Sequence, residues 1–525
     1  MAETVQQLLR ERADDDGVAV KYAGQTWTWR EHLGCAATQA AALIGIADPG
    51  KPLHVGVLLD NTPDMLTAMA AAGLGGYVLC GINNTRRGEA LARDIHRADC
   101  QILVTDERHR GLLDGVDLAG VRVLVVGSPE WQELLALAGP LTPHHEVGAT
   151  DTYMLIFTSG TSGDPKAVRV MHAMVLLAGA ALAGRYELTS ADVCYLSMPL
   201  FHSNAVLAGW SVALNAGAAM APAQFTASRF IDDVRHYGVT YMNYVGKPLA
   251  YILASPERPD DLDNPLRVAF GNEASDRDIE QFARRFGCEV WDGFGSTENA
   301  VTVTREDGCP AGSIGRGFPG VAIYDSETLT ECAVAEFDEN GALANGAEAI
   351  GELVNTQGAG MFAGYYNDPG ATDERMRHGM FWSGDLAYRD ADGWIYLAGR
   401  TADWMRVDGE NMTSAPIERI LVREPAISQV AVYPVPDEHV GDQVMAALVL
   451  QDDATLTPTA FGEFLAAQPD LSPKAWPRHV WIADELPSTA TNKVVKRELV
   501  ARGVQPDGRV LWTRDGDTYR VIGRE

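Results

Sequence analysis

IFTSGTSGDPKAV, residues 156–168, follows directly on the apolar run Tyr153 to Phe157, and the join reads as a buried strand running out into an anion-binding loop. Gly160 and Gly163 let the backbone turn tightly and bring its N–H groups close to a phosphate. The hydroxyls of Thr158, Ser159, Thr161 and Ser162 add donors, and Lys166 adds a positive charge. The spacing is not that of a P-loop, in which a Ser or Thr directly after the lysine holds magnesium. Here Ala167 follows Lys166, so a metal has to be held elsewhere. A surface turn rich in small polar residues would have a similar composition, but so many specified positions behind a strand count against it.

Outward from this segment the same texture repeats. Between about residues 50 and 300, the short apolar runs HVGVLL, QILV, VRVLVV, YMLIF, YMNYV, LRVAF and CEVWDGF alternate with helical patterns. That alternation predicts an α/β fold with largely parallel sheets, whose ligands sit at the carboxyl ends of the strands. A helix is expected over Asp276 to Phe286, where Ile279, Phe282, Ala283 and Phe286 recur at helical spacing. Between 305 and 400 glycine, aspartate and short pieces such as IGELVN and GWIYLAG predict a β-rich antiparallel subdomain. A further α/β unit follows, with helices expected over 414–423, 458–467 and 493–501 and strands over 427–435, 445–451 and 478–482. The expected division is a domain over 1–400 and a small C-terminal domain over 401–525, linked through LAGRTADWMRVDG.

Composition narrows the function. With 525 residues, 46% hydrophobic and 22% charged, the chain has the balance of a soluble globular protein of more than one domain. A net charge of -29 argues against sequence-independent binding to nucleic acid, which needs clustered cations to displace counterions. An anionic ligand must therefore meet a local basic patch. The cysteines at 35, 80, 100, 194, 288, 309 and 332 are scattered, odd in number and without CxxC spacing, which predicts neither a disulfide framework nor a zinc site. The N-terminus MAETVQQLLRERADDDG lacks a signal pattern, and apolar stretches such as Met69 to Cys80 are too short and glycine-rich to span a bilayer. The expectation is a cytoplasmic protein with no membrane span.

Two further elements carry chemistry. WDGFGSTEN, residues 291–299, again follows a strand and brings Glu298, a hard carboxylate of the kind that holds magnesium together with phosphate oxygens. FWSGDLAYRDADGWIYLAGR, residues 381–400, contains Asp385 and Arg400, suited to a ribose diol. Each alone could be an ordinary loop residue.

These three elements, followed by PSTATNKVVKREL near the C-terminus, resemble the acyl-adenylate-forming superfamily of acyl-CoA synthetases, adenylation domains and luciferases. The resemblance runs from TWTWREHL and LLDNTPD to Lys493. Within it, GNEASDRDI, DGFGSTEN and GRTADWMRVDGEN look most like long-chain and very-long-chain fatty acyl-CoA synthetases and fatty acid transport proteins, including actinobacterial ones. It implies a large N-terminal domain of two α/β layered sheets plus the β-rich subdomain, and a small, mobile α+β C-terminal domain.

It also implies ATP, magnesium and coenzyme A as cofactors, a hydrophobic carboxylic acid, fatty or polycyclic, as substrate, and an acyl-AMP intermediate. By this resemblance Thr158, Ser159, Gly160, Thr161, Ser162, Gly163 and Lys166 cradle the ATP phosphates. Gly271, Asn272 and Glu273, with Asp292, Gly293, Phe294, Gly295, Ser296 and Thr297, line the adenine and the acyl carbonyl. Glu298 holds magnesium, and Asp385 and Arg400 bind ribose. Lys493 reaches the α-phosphate and the acyl carboxylate, and Asp408 to Asn411, including Gly409 and Glu410, approach the pantetheine thiol. Thr158, Glu298, His202 and Lys493 are the catalytic candidates, His202 falling between ATP and acyl sites. Trp210, Tyr244, Val245 and Phe294 are candidates for the acyl pocket, and Arg406, Lys474 and Arg478 for the CoA 3′-phosphate. One position departs from the wider family: Ala402 stands where many members have Asp or Lys at the pivot between two domain poses. That leaves the relative weight of the two half-reactions open. The alternatives are a chain that works mainly in one half-reaction on an adenylate made by a partner enzyme, one that loads an acyl carrier protein, and a non-catalytic acyl- or nucleotide-binding protein, against which Lys166, Glu298, Asp385, Arg400 and Lys493 weigh.

Overall fold

A computed structural model describes residues 2–158, 165–246, 248–306, 308–339, 341, 343–400, 404–407, 410–437, 441–488, 494–504, 510–516 and 518–522. Its chain divides into two compact units, residues 1–300 with 359–376, and residues 301–358 with 377–525.

In the first unit the strand Thr152–Thr158 is apolar on both faces, and Tyr153 to Ile156 are at most 1% exposed, as a strand covered on both sides requires. It belongs to a six-stranded sheet in the order Arg122–Val125, Ile102–Thr105, His54–Leu58, Val78–Gly81, Thr152–Thr158, Lys166–Met171. All neighbours run parallel except the last pair. A second, seven-stranded sheet runs Glu289–Asp292, Val268–Asn272, Tyr241–Val245, Val193–Leu196, Ala219–Pro222, Val18–Tyr22, Gln25–Thr28, and again only the last pair is antiparallel. Helices Trp29–Gly45, Pro63–Gly75 and His172–Arg185 share one continuous core with strands of both sheets. This is the α/β layering the alternation predicts.

The helix Asp276–Phe286 forms over the expected residues. Ser275 caps its first turn by accepting from the Asp278 N–H, Phe282 and Phe286 bury its inner face, and Gly287 ends it in the left-handed region.

In the second unit the segment 303–400 forms an antiparallel sheet in the order Val303–Thr304, Gly315–Gly317, Trp394–Arg400, Met380–Arg389, Gly351–Asn355, Val321–Tyr324. Beyond it lies a sheet ordered Glu410–Thr413, Trp404–Val407, Gly441–Leu450, His479–Ile482, Val510–Asp515, Thr518–Ile522, with Ile427–Asp437 also paired to Gly441–Leu450. Helices Ser414–Leu421, Pro458–Ala466 and Lys496–Arg502 accompany it. The last of these starts at Lys496 rather than at 493, and the closing hairpin of Val510–Asp515 and Thr518–Ile522 lies beyond the expected elements. Arg419, on Ser414–Leu421, donates to the Gly312 carbonyl at 3.0 Å and to the Tyr388 hydroxyl at 3.2 Å, tying this helix to the antiparallel segment. Among the described residues no helix is long and apolar enough to cross a membrane, and the seven cysteines are free thiols.

Candidate active site

The first glycine-rich segment joins two strands that pair with each other. Thr158 ends one strand, Lys166 opens the next, and the two are paired across the antiparallel ladder. Ser159, Gly160, Thr161, Ser162 and Gly163 lie outside the described residues. Both stems are fixed. The Thr158 hydroxyl lies 3.5 Å from the Lys166 carbonyl, and Arg97, at the end of helix Gly88–Arg97, donates to the Pro165 carbonyl at 2.5 Å. Lys166 is 9% exposed; its ammonium lies 3.4 Å from Glu374 Oε2 and 5.2 Å from the centre of the Tyr365 ring.

Tyr365 is there because 364–366 lie alongside 167–169. Arg169 N–H donates to Gly364 O at 3.2 Å, Tyr366 N–H to Ala167 O at 2.8 Å, and Val168 faces Tyr365 in an antiparallel bridge. The Tyr365 N–H also donates to Thr372 Oγ1 at 3.0 Å. Its hydroxyl donates to Glu298 Oε1 at 2.7 Å. Burial, then the negative charge of Glu298, push the phenol well above its ordinary pKa, so it remains a donor at working pH. One tyrosine thus touches both the lysine after the first loop and the carboxylate of the second.

Glu298 fits a magnesium ion of the kind held by one carboxylate and the phosphates of its nucleotide. Among the described residues no group of three or more His, Cys, Asp or Glu side chains is placed to hold a metal ion.

The loops at the carboxyl ends of Tyr241–Val245, Val268–Asn272 and Glu289–Asp292 are knit together by side-chain amides. Asn243 Nδ2 donates to Asn204 Oδ1 at 2.7 Å, Asn204 Nδ2 to Asn272 Oδ1 at 3.1 Å, and Asn272 Nδ2 to Gly293 O at 2.6 Å. Asp292 accepts from the Ala274 N–H at 2.9 Å and from the Tyr244 hydroxyl at 3.2 Å. Thr297 and Ser203 share a hydrogen bond of 2.8 Å between their hydroxyls, which joins the second glycine-rich loop to the short helix Ser203–Ala205. His202 precedes that helix, with its ring 4.6 Å from that of Phe201. Glu273 has a φ of +67°, a left-handed conformation costly for a residue with a side chain. Phe294 and Ser296 are half-buried, whereas Gly295 is exposed.

Two residues have duties that the sequence does not announce. Gly271 lies within its strand, where a Cβ would stand 2.3 Å from the Tyr244 carbonyl, so its missing side chain makes room for Tyr244. Trp210 is 1% exposed and stacks on Tyr153 at 5.7 Å in the core, and Tyr244 is fully buried as well.

In the second unit Asp385 and Arg400 face each other across the ladder, with Arg400 Nε 2.9 Å from Asp385 Oδ1. Asp385 is 7% exposed, while its arginine stands half in solvent. Lys493, Ala402, Asp408 and Gly409 lie outside the described residues, as do the side chains of Arg406, Glu410 and Asn411, whose backbones are strand. On either side of 489–493 the chain is closed by a bridge between Ser488 and Val494, and Lys496 is anchored to Glu418 at 2.8 Å and to the Ser414 hydroxyl at 2.6 Å. Arg478 is used structurally, donating to the Arg514 carbonyl at 2.6 Å.

Nothing in the sequence marks Tyr365. GYYNDPGAT reads as a turn before a helix, and the tyrosine acquires its place only through pairing with a strand nearly two hundred residues earlier.

Residues 9–366 match the AMP-binding enzyme family and residues 416–493 the AMP-binding enzyme C-terminal domain. The chain belongs to the AMP-binding enzyme family. It is 50% identical to the medium/long-chain-fatty-acid–CoA ligase FadD17 of Mycobacterium marinum, over 98% of this chain and 99% of that one. It is 43% identical to the steroid-22-oyl-CoA synthetase of Rhodococcus jostii, over 99% and 93%. The fold is also that of ATP-bound MatB from Rhodopseudomonas palustris, with a TM-score of 0.83 at 23% identity over 96% of this chain and 99% of that one.

Proposed function

We propose that Lys166, Glu298, Asp385, Arg400 and Lys493 serve an ATP-dependent acyl-CoA synthetase whose acid is a medium- or long-chain fatty acid or a bulky polycyclic acid. The chain is an AMP-forming acid–thiol ligase that activates a hydrophobic carboxylic acid as its acyl-AMP and uses ATP, magnesium and coenzyme A. The choice of acid draws on the two relatives, one acting on fatty acids and one on a steroid acid.

The carboxylate attacks the α-phosphorus of ATP and pyrophosphate leaves; the thiol of CoA then attacks the acyl carbonyl and AMP leaves with the carboxylate oxygen. The protein's task is to hold two anions together and meet the charge that develops. Lys166 would face the β- and γ-phosphates, Asp385 and Arg400 the ribose, and Lys493 the α-phosphate and carboxylate. Glu298 would hold magnesium, which when bound draws charge from the phosphates. Asp408 to Asn411 would approach the thiol in the second step, after a pivot at Ala402.

The observation that carries this assignment is the contact of Tyr365 with both Lys166 and Glu298, which unites the two glycine-rich elements within one unit. The test is to incubate the protein with magnesium, ATP, CoA and acids from medium-chain fatty to polycyclic, following pyrophosphate, AMP and thioester by mass spectrometry. Thioester from fatty or polycyclic acids supports the reading. Thioester formed only from supplied acyl-AMP would favour a partner adenylating enzyme, and transfer to a carrier protein but not to CoA would change the acceptor.

A further inference from the structure

We infer that Tyr365 is a positioning residue that holds Glu298 in the orientation needed for the nucleotide-bound cation; the inference rests on the proposed role of Glu298. Three independent constraints fix the tyrosine. Its backbone is bridged to Val168, its N–H is held by Thr372 Oγ1, and its ring, 5% exposed, lies under the Lys166 ammonium. The hydroxyl therefore reaches Glu298 from a rigid base, at 2.7 Å on Oε1. A hydrogen bond to an ionised acceptor is short and strong, and with one oxygen engaged the other is the freer for a cation. Partners that orient a ligating carboxylate in this way typically account for about 10- to 100-fold in metal affinity.

Two of the contacts of Tyr365, with Glu298 and with Lys166, are chemically separable. The hydroxyl serves Glu298, and the ring face serves Lys166 through attraction between cation and aromatic quadrupole. Tyr365→Phe removes the first and keeps the second, whereas Tyr365→Leu removes both. A role confined to packing would not distinguish the hydroxyl from the ring in this way.

The experiment measures Mn2+ binding by electron paramagnetic resonance in the presence of a non-hydrolysable ATP analogue. Binding of the analogue without metal is measured by calorimetry, and thermal melting serves as the control for folding. Tyr365→Phe should weaken Mn2+ about 10-fold, with metal-free nucleotide binding and melting unchanged. Tyr365→Leu should weaken both kinds of binding. In a Glu298→Gln background, Tyr365→Phe should add no further loss, since the two act through one contact. Parent-like Mn2+ affinity in Tyr365→Phe, with Glu298→Gln clearly weakened, would overturn the inference and leave the role of Glu298 standing. Parent-like affinity in Glu298→Gln would remove the reading on which it rests. Equal loss of metal, nucleotide and thermal stability in Tyr365→Phe would show a packing residue and overturn the inference as well.

Discussion

At the scale of single residues, two buried histidines make stability depend on pH. His32 and His172 are 4% and 1% exposed, and among the described residues each has a ring nitrogen without a hydrogen-bond partner. Burial pushes both pKa values down to about 4. The unfolded chain binds a proton at these rings below about 6.5, whereas the native state resists it until about 4. Their contribution is therefore fully present above about 6.5 and is lost as pH falls towards 4, by up to ~3 kcal/mol each. Urea midpoints measured at pH 7.5 and pH 5 should fall with acidification, and His172→Gln should shrink the fall. An equal fall in parent and variant would show that His172 titrates as it does in the unfolded chain. Residue by residue, the site is legible in part. Lys166, Glu298, Asp385 and Arg400 stand in unusual settings of glycine, hydroxyl and charge, and so can be picked out. Tyr365 cannot, because it is defined by a contact with Val168, and Gly271, expected beside the adenine, also makes the space that Tyr244 needs, which its sequence setting does not show.

Among elements, the strands of the first unit are legible because both faces of a parallel strand are covered, which leaves uninterrupted apolar runs such as YMLIF. The hairpin Val510–Asp515 and Thr518–Ile522 escapes that signal, since its alternation is broken by charged residues and its apolar side is set by a helix far back in the chain. Trp512, 2% exposed, packs its ring 5.8 Å from that of Phe461, and Tyr519 lies 5.2 Å from the same ring. Trp512→Ala should destabilise this part of the chain by about 3–5 kcal/mol, the usual loss for a buried aromatic. Denaturant unfolding followed by circular dichroism would show it, and a change under about 1 kcal/mol would mean that the hairpin is peripheral to the core.

At the scale of the whole molecule, the proposed reaction asks the C-terminal residues to present Lys493 in one step and Asp408 to Asn411 in the next. Strand Trp394–Arg400 ends just before Ala402 and strand Trp404–Val407 begins just after it, where a few backbone dihedrals can absorb a large rotation. Such a rotation would also require Arg419 to leave Gly312 and Tyr388. Ala402→Pro fixes φ near about −65° and removes an N–H, so it should impair one half-reaction far more than the other. Pyrophosphate release and thioester formation from synthetic acyl-AMP, measured separately, would reveal the imbalance; equal losses in a folded variant would place the pivot elsewhere. The central claim is the acyl-AMP route, and it is tested most directly with an acid labelled with oxygen-18 in its carboxylate, incubated with ATP, magnesium and CoA. The account predicts one labelled oxygen in the AMP and none in the pyrophosphate. Label appearing in inorganic phosphate, or thioester formed without labelled AMP, would contradict it.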